Sequence, residues 1–110
     1  MEDRISTGIT VSAILRSLNA SGIPAYIVNK GDADTGTIIV KIIISVGQCK
    51  LLSQMRDFES ELSWTNVYDE PVDETKADDY IKRAIDRDPD VWVVELEDSN
   101  GQNPFEGKLI

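Results

Sequence analysis

Apolar residues recur between Thr10 and Ala20 at Val11, Ile14, Leu15 and Leu18, the i, i+3, i+4, i+7 spacing of one helix face. Ser12, Arg16 and Asn19 fall on the opposite side. Thr7 or Thr10 can cap the start, Gly22 suits a left-handed position just past the end, and Pro24 forbids continuation. The period then changes. Ala25–Lys30 is a short β-rich run, and Gly31-Asp32-Ala33-Asp34-Thr35-Gly36 has the composition of a turn. From Thr37 to Ser45, Ile38, Val40, Ile42 and Ile44 point to one face, while Thr37, Ile39, Lys41, Ile43 and Ser45 point to the other. Both faces are mostly apolar, which predicts a central strand covered on both sides. Val46-Gly47-Gln48 reads as a hairpin turn into a third strand, Cys49–Arg56. Asp57–Leu62 interrupts, and Ser63–Asp69 reads as a fourth extended segment.

Pro71-Val72-Asp73 introduces a second helix, about Glu74 to Arg87, with Ala77, Tyr80, Ile81, Ala84 and Ile85 as its buried stripe. Asp78–Lys82 and Asp79–Arg83 stand at i, i+4 in the favourable order. Asp73 and Glu74 suit the helix start, Arg83 and Arg87 its end, and Pro89 stops it. Val91-Trp92-Val93-Val94 opens the last strand, apolar on both faces and therefore internal, and Glu95-Leu96-Glu97-Asp98 carries it toward water. The expected fold class is α+β: one mostly antiparallel sheet of about five strands with two packed helices, in the order α-β-β-β-β-α-β. The expected strand order is 4-3-2-1-5, with the last strand beside the first. Residues 1–98 form a single domain in this reading. Residues 99–110 form a partly mobile tail anchored by Phe105.

Composition narrows the chemistry. A chain of 110 residues is one ordinary domain, and its longest apolar stretch, Ile38–Ile44, is broken by Lys41. No membrane segment is expected, and a reducing cytosol is the expected compartment. Cys49 is the only cysteine, which excludes an intramolecular disulfide and a cysteine zinc cluster. With no histidine in the chain, Ser-His-Asp and Cys-His nucleophile systems are excluded too. The net charge of −9 is unevenly spread. Residues 1–56 carry six cations and four carboxylates, a balance of +2, which leaves −11 for the remainder. An acidic surface of that kind repels nucleic acid and anionic membrane.

Three segments carry a resemblance. They are Ala13-Ile14-Leu15-Arg16, the run Gly31–Gly36 leading into the isoleucine strand ending at Val40-Lys41, and Asp88-Pro89-Asp90-Val91-Trp92-Val93-Val94-Glu95-Leu96-Glu97-Asp98. Together they resemble a small alphaproteobacterial family of domains of unknown function, DUF1491, from about Arg4 to Asp98. Ser17 stands where such proteins often carry a second arginine, and Met55–Asp69 departs from the family pattern. The resemblance implies a bacterial cytosolic protein and supplies no activity.

Several positions could bear chemistry. Asp32 and Asp34, two apart in a glycine-flanked turn, could share a hard cation, or could supply turn backbone and Asx hydrogen bonds. Lys41 among isoleucines needs a partner, and Glu95 on a neighbouring strand, joined by Asp34, would complete a carboxylate-plus-lysine site of the metal-dependent nuclease kind. Glu95-Leu96-Glu97 lacks the lysine two residues after the acid that such sites carry. Trp64 and Tyr68 stand four apart in an extended segment, so they would share a face and could anchor a partner or pack on a helix. Cys49 and Trp92 read as strand-filling core residues.

The leading expectation is a cytosolic binding or protein-interaction module without catalysis or cofactor, which could form a homodimer through an exposed edge strand. One alternative is a metal-dependent enzyme acting on a phosphate-bearing substrate through Asp32, Asp34, Lys41 and Glu95. A second is an RNA-associated factor using Arg4, Arg16, Lys30 and Lys50.

Overall fold

A computed structural model describes residues 6–56 and 62–110. Arg4 and the interruption after Arg56, both singled out above, lie outside or largely outside that range. Helix α1 (Thr7–Ala20) is capped by Ser6, whose side chain accepts from the Ile9 amide, one position before the earliest cap expected. Its far end closes as the glycine signal predicts. Gly22 takes φ +84°, and the Ile23 and Gly22 amides turn back onto the Leu18 and Asn19 carbonyls.

The chain continues through β1 (Ala25–Asn29), β2 (Ile38–Ser45), β3 (Gln48–Arg56) and β4 (Leu62–Asn66). After these come a two-residue β5 (Val72–Asp73), helix α2 (Glu74–Arg87), β6 (Trp92–Glu97) and a two-residue β7 (Lys108–Leu109). The fold is α+β, with one mixed, mostly antiparallel sheet and two helices, as the pattern predicts. The strand order is β1-β6-β2-β3-β4-β7, with β5 pairing β3. The expected order is therefore corrected at one step: the last long strand does lie beside the first, but it inserts between β1 and β2. It runs antiparallel to β1 and parallel to β2, with Lys41 opposite Glu95.

The physical reason lies in the strand itself. Trp92, Val93 and Val94 are all buried, so β6 needs cover on both faces and a neighbour on both edges. An edge position would satisfy neither need. Insertion also explains the glycine-flanked turn, because the chain between β1 and β2 must cross the entrance of β6. Gly31 and Gly36 lie so close to it that an added Cβ would sit 2.1 Å and 2.4 Å from the Asp90 carbonyl oxygen. Only glycine permits that approach.

Alternation along β2 divides the core. Ile38, Val40 and Ile42 join Leu52, Trp92, Val94 and Leu96 under α1, with Val11 inserted from the helix. Ile39 joins Leu51, Cys49, Val91 and Val93 on the other face, where Ala77 and Ile81 of α2 close over them. The segment expected as a tail adds β7 to the sheet edge, parallel to β4, and Phe105 stacks on Trp64 at 5.6 Å between ring centroids.

Candidate functional site

Lys41 points to the α2 face, and only 2% of it is exposed. A buried ammonium needs acceptors in place of water, and two elements supply them. Its Nζ lies 2.8 Å from Glu74 Oε1 and 2.8 Å from Asp78 Oδ1, both on the first turns of α2. Glu95 Oε1 stands 3.3 Å away on β6, its side chain 13% exposed. The Tyr26 hydroxyl donates to the other oxygen of Glu95, which ties β1 into the cluster. Burial works against the lysine charge. Hydrogen bonds to Asp78 and Glu74, with the field of Glu95 and Asp78, outweigh it and hold the ammonium's pKa above the ordinary lysine value. Tyr26 is likewise raised, first by its hydrogen bond to Glu95 and then by burial and the carboxylate's charge. A lysine held cationic in this way is an electrostatic anchor rather than a proton acceptor near neutral pH.

Of the residues proposed for a carboxylate-plus-lysine site, Lys41 and Glu95 come together and Asp34 does not join them. Asp34 lies in the loop before β2, and Ile38 at the start of that strand is already three residues from Lys41, about 10 Å along a strand. Asp32 is turned into its own loop. One of its carboxylate oxygens accepts from the Thr35 amide at 2.8 Å, the Thr35 hydroxyl at 2.9 Å and the Asp34 amide at 3.1 Å. Those bonds, led by the Thr35 amide, hold its pKa below the usual aspartate value. Asp32 thus serves the turn through Asx bonding, with the Asp34 amide as one of its donors. Among the described residues no group of three or more histidine, cysteine or acidic side chains has the arrangement to hold a metal ion.

Sequence reasoning missed Glu74 and Asp78 as partners of Lys41. Their i, i+4 spacing was the available signal, since it places both carboxylates on one face of α2. The i, i+4 pattern pairs Asp78 with Lys82 instead.

The aromatic pair separates. Trp64 is 1% exposed, stacked on Phe105, its indole donating to the Glu106 carbonyl at 2.9 Å. Tyr68, past the end of β4, packs on the α2 side edge-on to Tyr80, with Lys76 Nζ 4.8 Å over its ring. The expectation of a shared face assumed that the strand continued to Asp69. β4 ends at Asn66, and the chain bends. Cys49 is fully buried, and burial pushes its thiol up to about 11. Lys50 Nζ is engaged by the Gly101 carbonyl at 3.0 Å, apart from Arg16 and Lys30.

The surface feature that the pattern did not predict is β1. It lies at the end of the sheet path with β6 as its neighbour there; its register breaks between Ile27 and Asn29, and the Ala25 carbonyl accepts from Asn19 Nδ2 at 3.2 Å. Tyr26, Ile27 and Val28 are 52%, 39% and 45% exposed. Helix α2 packs chiefly over β3, β5 and β2. A groove of about 560 Å³ therefore lies between α2 and β1, its apolar lining including Ile81, Ile85, Tyr26 and Val28 and its charged lining Lys41, Asp78, Lys82 and Glu95.

No helix among the described residues is long and apolar enough to cross a membrane. None of the curated proteins compared matches the chain. A crystal structure and an NMR structure of a DUF1491 family protein from Caulobacter crescentus CB15 are each similar at 32% identity and a TM-score of 0.85. The first covers 97% of this chain and 100% of that one, the second 99% of each. The solution structure of a protein from A. tumefaciens shares the fold at 24% identity and a TM-score of 0.73, covering 87% of each chain. The family model described as "Protein of unknown function (DUF1491)" matches residues 5–106, and with that match the chain belongs to the DUF1491 family.

Proposed function

We propose that the chain is a protein-interaction module that takes an extended segment of a partner protein as an added strand on β1. The observation that supports this reading is an edge strand bearing three consecutive exposed apolar side chains. Natural sheets blunt such edges with lysine, proline or a covering element, because an open edge templates further pairing. Here the opposite end of the sheet is blunted by the two-residue β7, whereas β1 is five residues long and lies beside a groove. In strand addition the backbone supplies affinity, and pockets for alternate side chains supply specificity.

Charge selects the occupant. Asp78 and Glu95 line the groove with Lys41 and Lys82, so its own charges balance, and the −9 carried by the whole chain is what favours a basic partner. The matching segment alternates aliphatic residues over Tyr26 and Val28 with a lysine or arginine directed toward Glu95 and Asp78. A second copy of this chain would bring another −9 to the same edge, which favours a basic heterologous segment over self-pairing.

Selection from a random peptide display library tests this directly. Alternating β-branched sequences with a central basic residue should be enriched and should bind the wild type but not Val28→Lys, which places a charge on the exposed edge. Enrichment of acidic peptides, or binding indifferent to Val28→Lys, would count against the reading. A wild-type dimer in light scattering that Val28→Lys dissolves would reassign the edge to self-association.

A further inference from the structure

On the opposite side of the molecule, one face of α1 and the loop between β1 and β2 line a second, open cavity of about 450 Å³. Arg16 and Lys30 both line it, with the side chains of Ser6 and Ser12 and an apolar wall from Ile9 and Trp92. We propose that this cavity binds a small organic phosphate monoester, its phosphate between Arg16 and Lys30 and its body against Ile9 and Trp92.

Four observations carry the proposal, independently of the β1 edge. Charge is the first. Neither Arg16 nor Lys30 has a carboxylate within ion-pairing distance among the described residues, although acids outnumber bases 20 to 11 in this chain. The acid-rich helix α2 packs against the other face of the sheet. Two cations on one cavity, with no partner carboxylate among the described residues, favour a ligand carrying two negative charges, as a phosphate monoester does near neutral pH.

Rigidity is the second. The loop wall is fixed from several sides: the Gly8 amide donates to Ala33 O at 2.8 Å, Trp92 Nε1 to Asp32 O at 2.7 Å, and the Asp32 amide to Asp90 O at 2.9 Å. Asp32, a carboxylate of the same loop, is turned back into it by its bonds to Thr35 and Asp34. A cavity held in shape before binding loses little to ordering its walls.

The third is the apolar wall. Ile9 is 64% exposed on a helix whose other large apolar residues pack inward, and it stands at the cavity. That exposure suits an apolar or aromatic body attached to the anion. The fourth is number. A nucleic-acid backbone is gripped by roughly six to ten phosphate contacts. Arg16 and Lys30 are the two cations of this cavity, while Lys50 is engaged elsewhere.

The experiment uses the full chain, with phenyl phosphate as probe and inorganic phosphate as control, followed by ¹H–¹⁵N NMR at low salt. Phenyl phosphate is expected to shift the amides of Gly8–Ala13 and Ala33 and the Trp92 indole saturably, with a Kd of about 1 mM or below. Inorganic phosphate should bind more weakly at the same residues. Arg16→Gln with Lys30→Gln, both exposed and tolerant of change, should weaken phenyl phosphate at least about tenfold, equivalent to about 1.4 kcal/mol. Shifts that do not saturate, that scatter over the surface, or that persist unchanged in the double variant overturn the proposal. Equal affinity for inorganic phosphate overturns the apolar half of it. Tighter binding of a single-stranded RNA oligonucleotide, lost steeply with salt, would overturn the small-ligand assignment in favour of a backbone-binding surface.

Discussion

The two faces of the sheet share their strands and differ by one residue type. Under α1, Ile38, Val40, Ile42, Trp92, Val94 and Leu96 form an unbroken apolar layer, and both indole N–H groups end on backbone carbonyls. Under α2 the matching layer of Ile39, Leu51, Val91 and Val93 is interrupted by Lys41, which draws Glu74, Asp78 and Glu95 around it. One face is held by shape, where each lost atom costs its own contacts and the cavity it leaves. The other depends on a charge and its partners as a set, since any member left alone is penalised by burial. The contrast predicts different responses to truncation.

The largest effect belongs to the apolar face. Trp92→Ala should cost about 3–5 kcal/mol, the range for removing a buried aromatic, and it also strips the Asp32 carbonyl of its donor. Against a domain stability of about 5–15 kcal/mol, urea denaturation should show a protein near the edge of folding. A loss below about 1 kcal/mol would mean that this layer repacks freely, and the contrast would fail.

Lys41→Met comes next. Breaking a buried pair costs about 3–5 kcal/mol, and the lower end is expected because Glu74 and Asp78 keep access to water. Glu95 is the partner left worst placed. The double variant Lys41→Met, Glu95→Gln should therefore recover a good part of the loss, a recovery that a purely steric site would not show. If the single substitution is neutral, the α2 face is held by shape as well.

Much of this architecture was legible in sequence, and the misses have physical causes. Both helices and the two-sided β2 follow from local periodicity, because each element's burial is written in its own residues. Strand order is not local. The pattern showed that Val91–Val94 must be internal, yet the expected order placed that strand at a margin, and the need for neighbours on both edges is what resolves the conflict. The glycines at 31 and 36 signalled a turn by composition. Their actual reason, a backbone crossing 2.1–2.4 Å from where a Cβ would meet Asp90, exists only once β6 is in place. The need of Lys41 for a partner was readable, and so was Glu95. Glu74 and Asp78 were hidden because their charges had a local explanation in helix dipole and i, i+4 pairing.

Those glycines give a third, smaller test, which sharpens the idea that shape governs the side facing β6. Gly36→Ala forces a Cβ between the Asp90 carbonyl and the Trp92 indole and should cost about 1–3 kcal/mol, as overpacking does. Gly47→Ala meets nothing within 4 Å and is strained only by its φ of +76°, so about 1–2 kcal/mol is expected from backbone conformation alone. Thermal unfolding of the two separates crowding from torsion. If Gly36→Ala proves harmless, the loop is not clamped on β6.

The smallest effect reaches the charged face from its rim. Tyr26→Phe removes a hydrogen bond to Glu95 at a half-exposed position, so the low end of about 0.5–1.5 kcal/mol is expected near neutral pH. Its pH dependence is more diagnostic than its size. The folded protein raises the ionisation of Tyr26 above 10.0 and that of Lys41 above 10.5. Each therefore contributes its full stability below those values and loses it as pH rises through the higher folded-state value. Phenylalanine has nothing to lose in that window. Urea midpoints of wild type and Tyr26→Phe should thus differ at pH 7–9 and converge above pH 10, once the phenol can no longer donate to the carboxylate. A gap that stays constant into that range would mean the hydroxyl contributes through packing alone, and Tyr26 would then belong to the face held by shape.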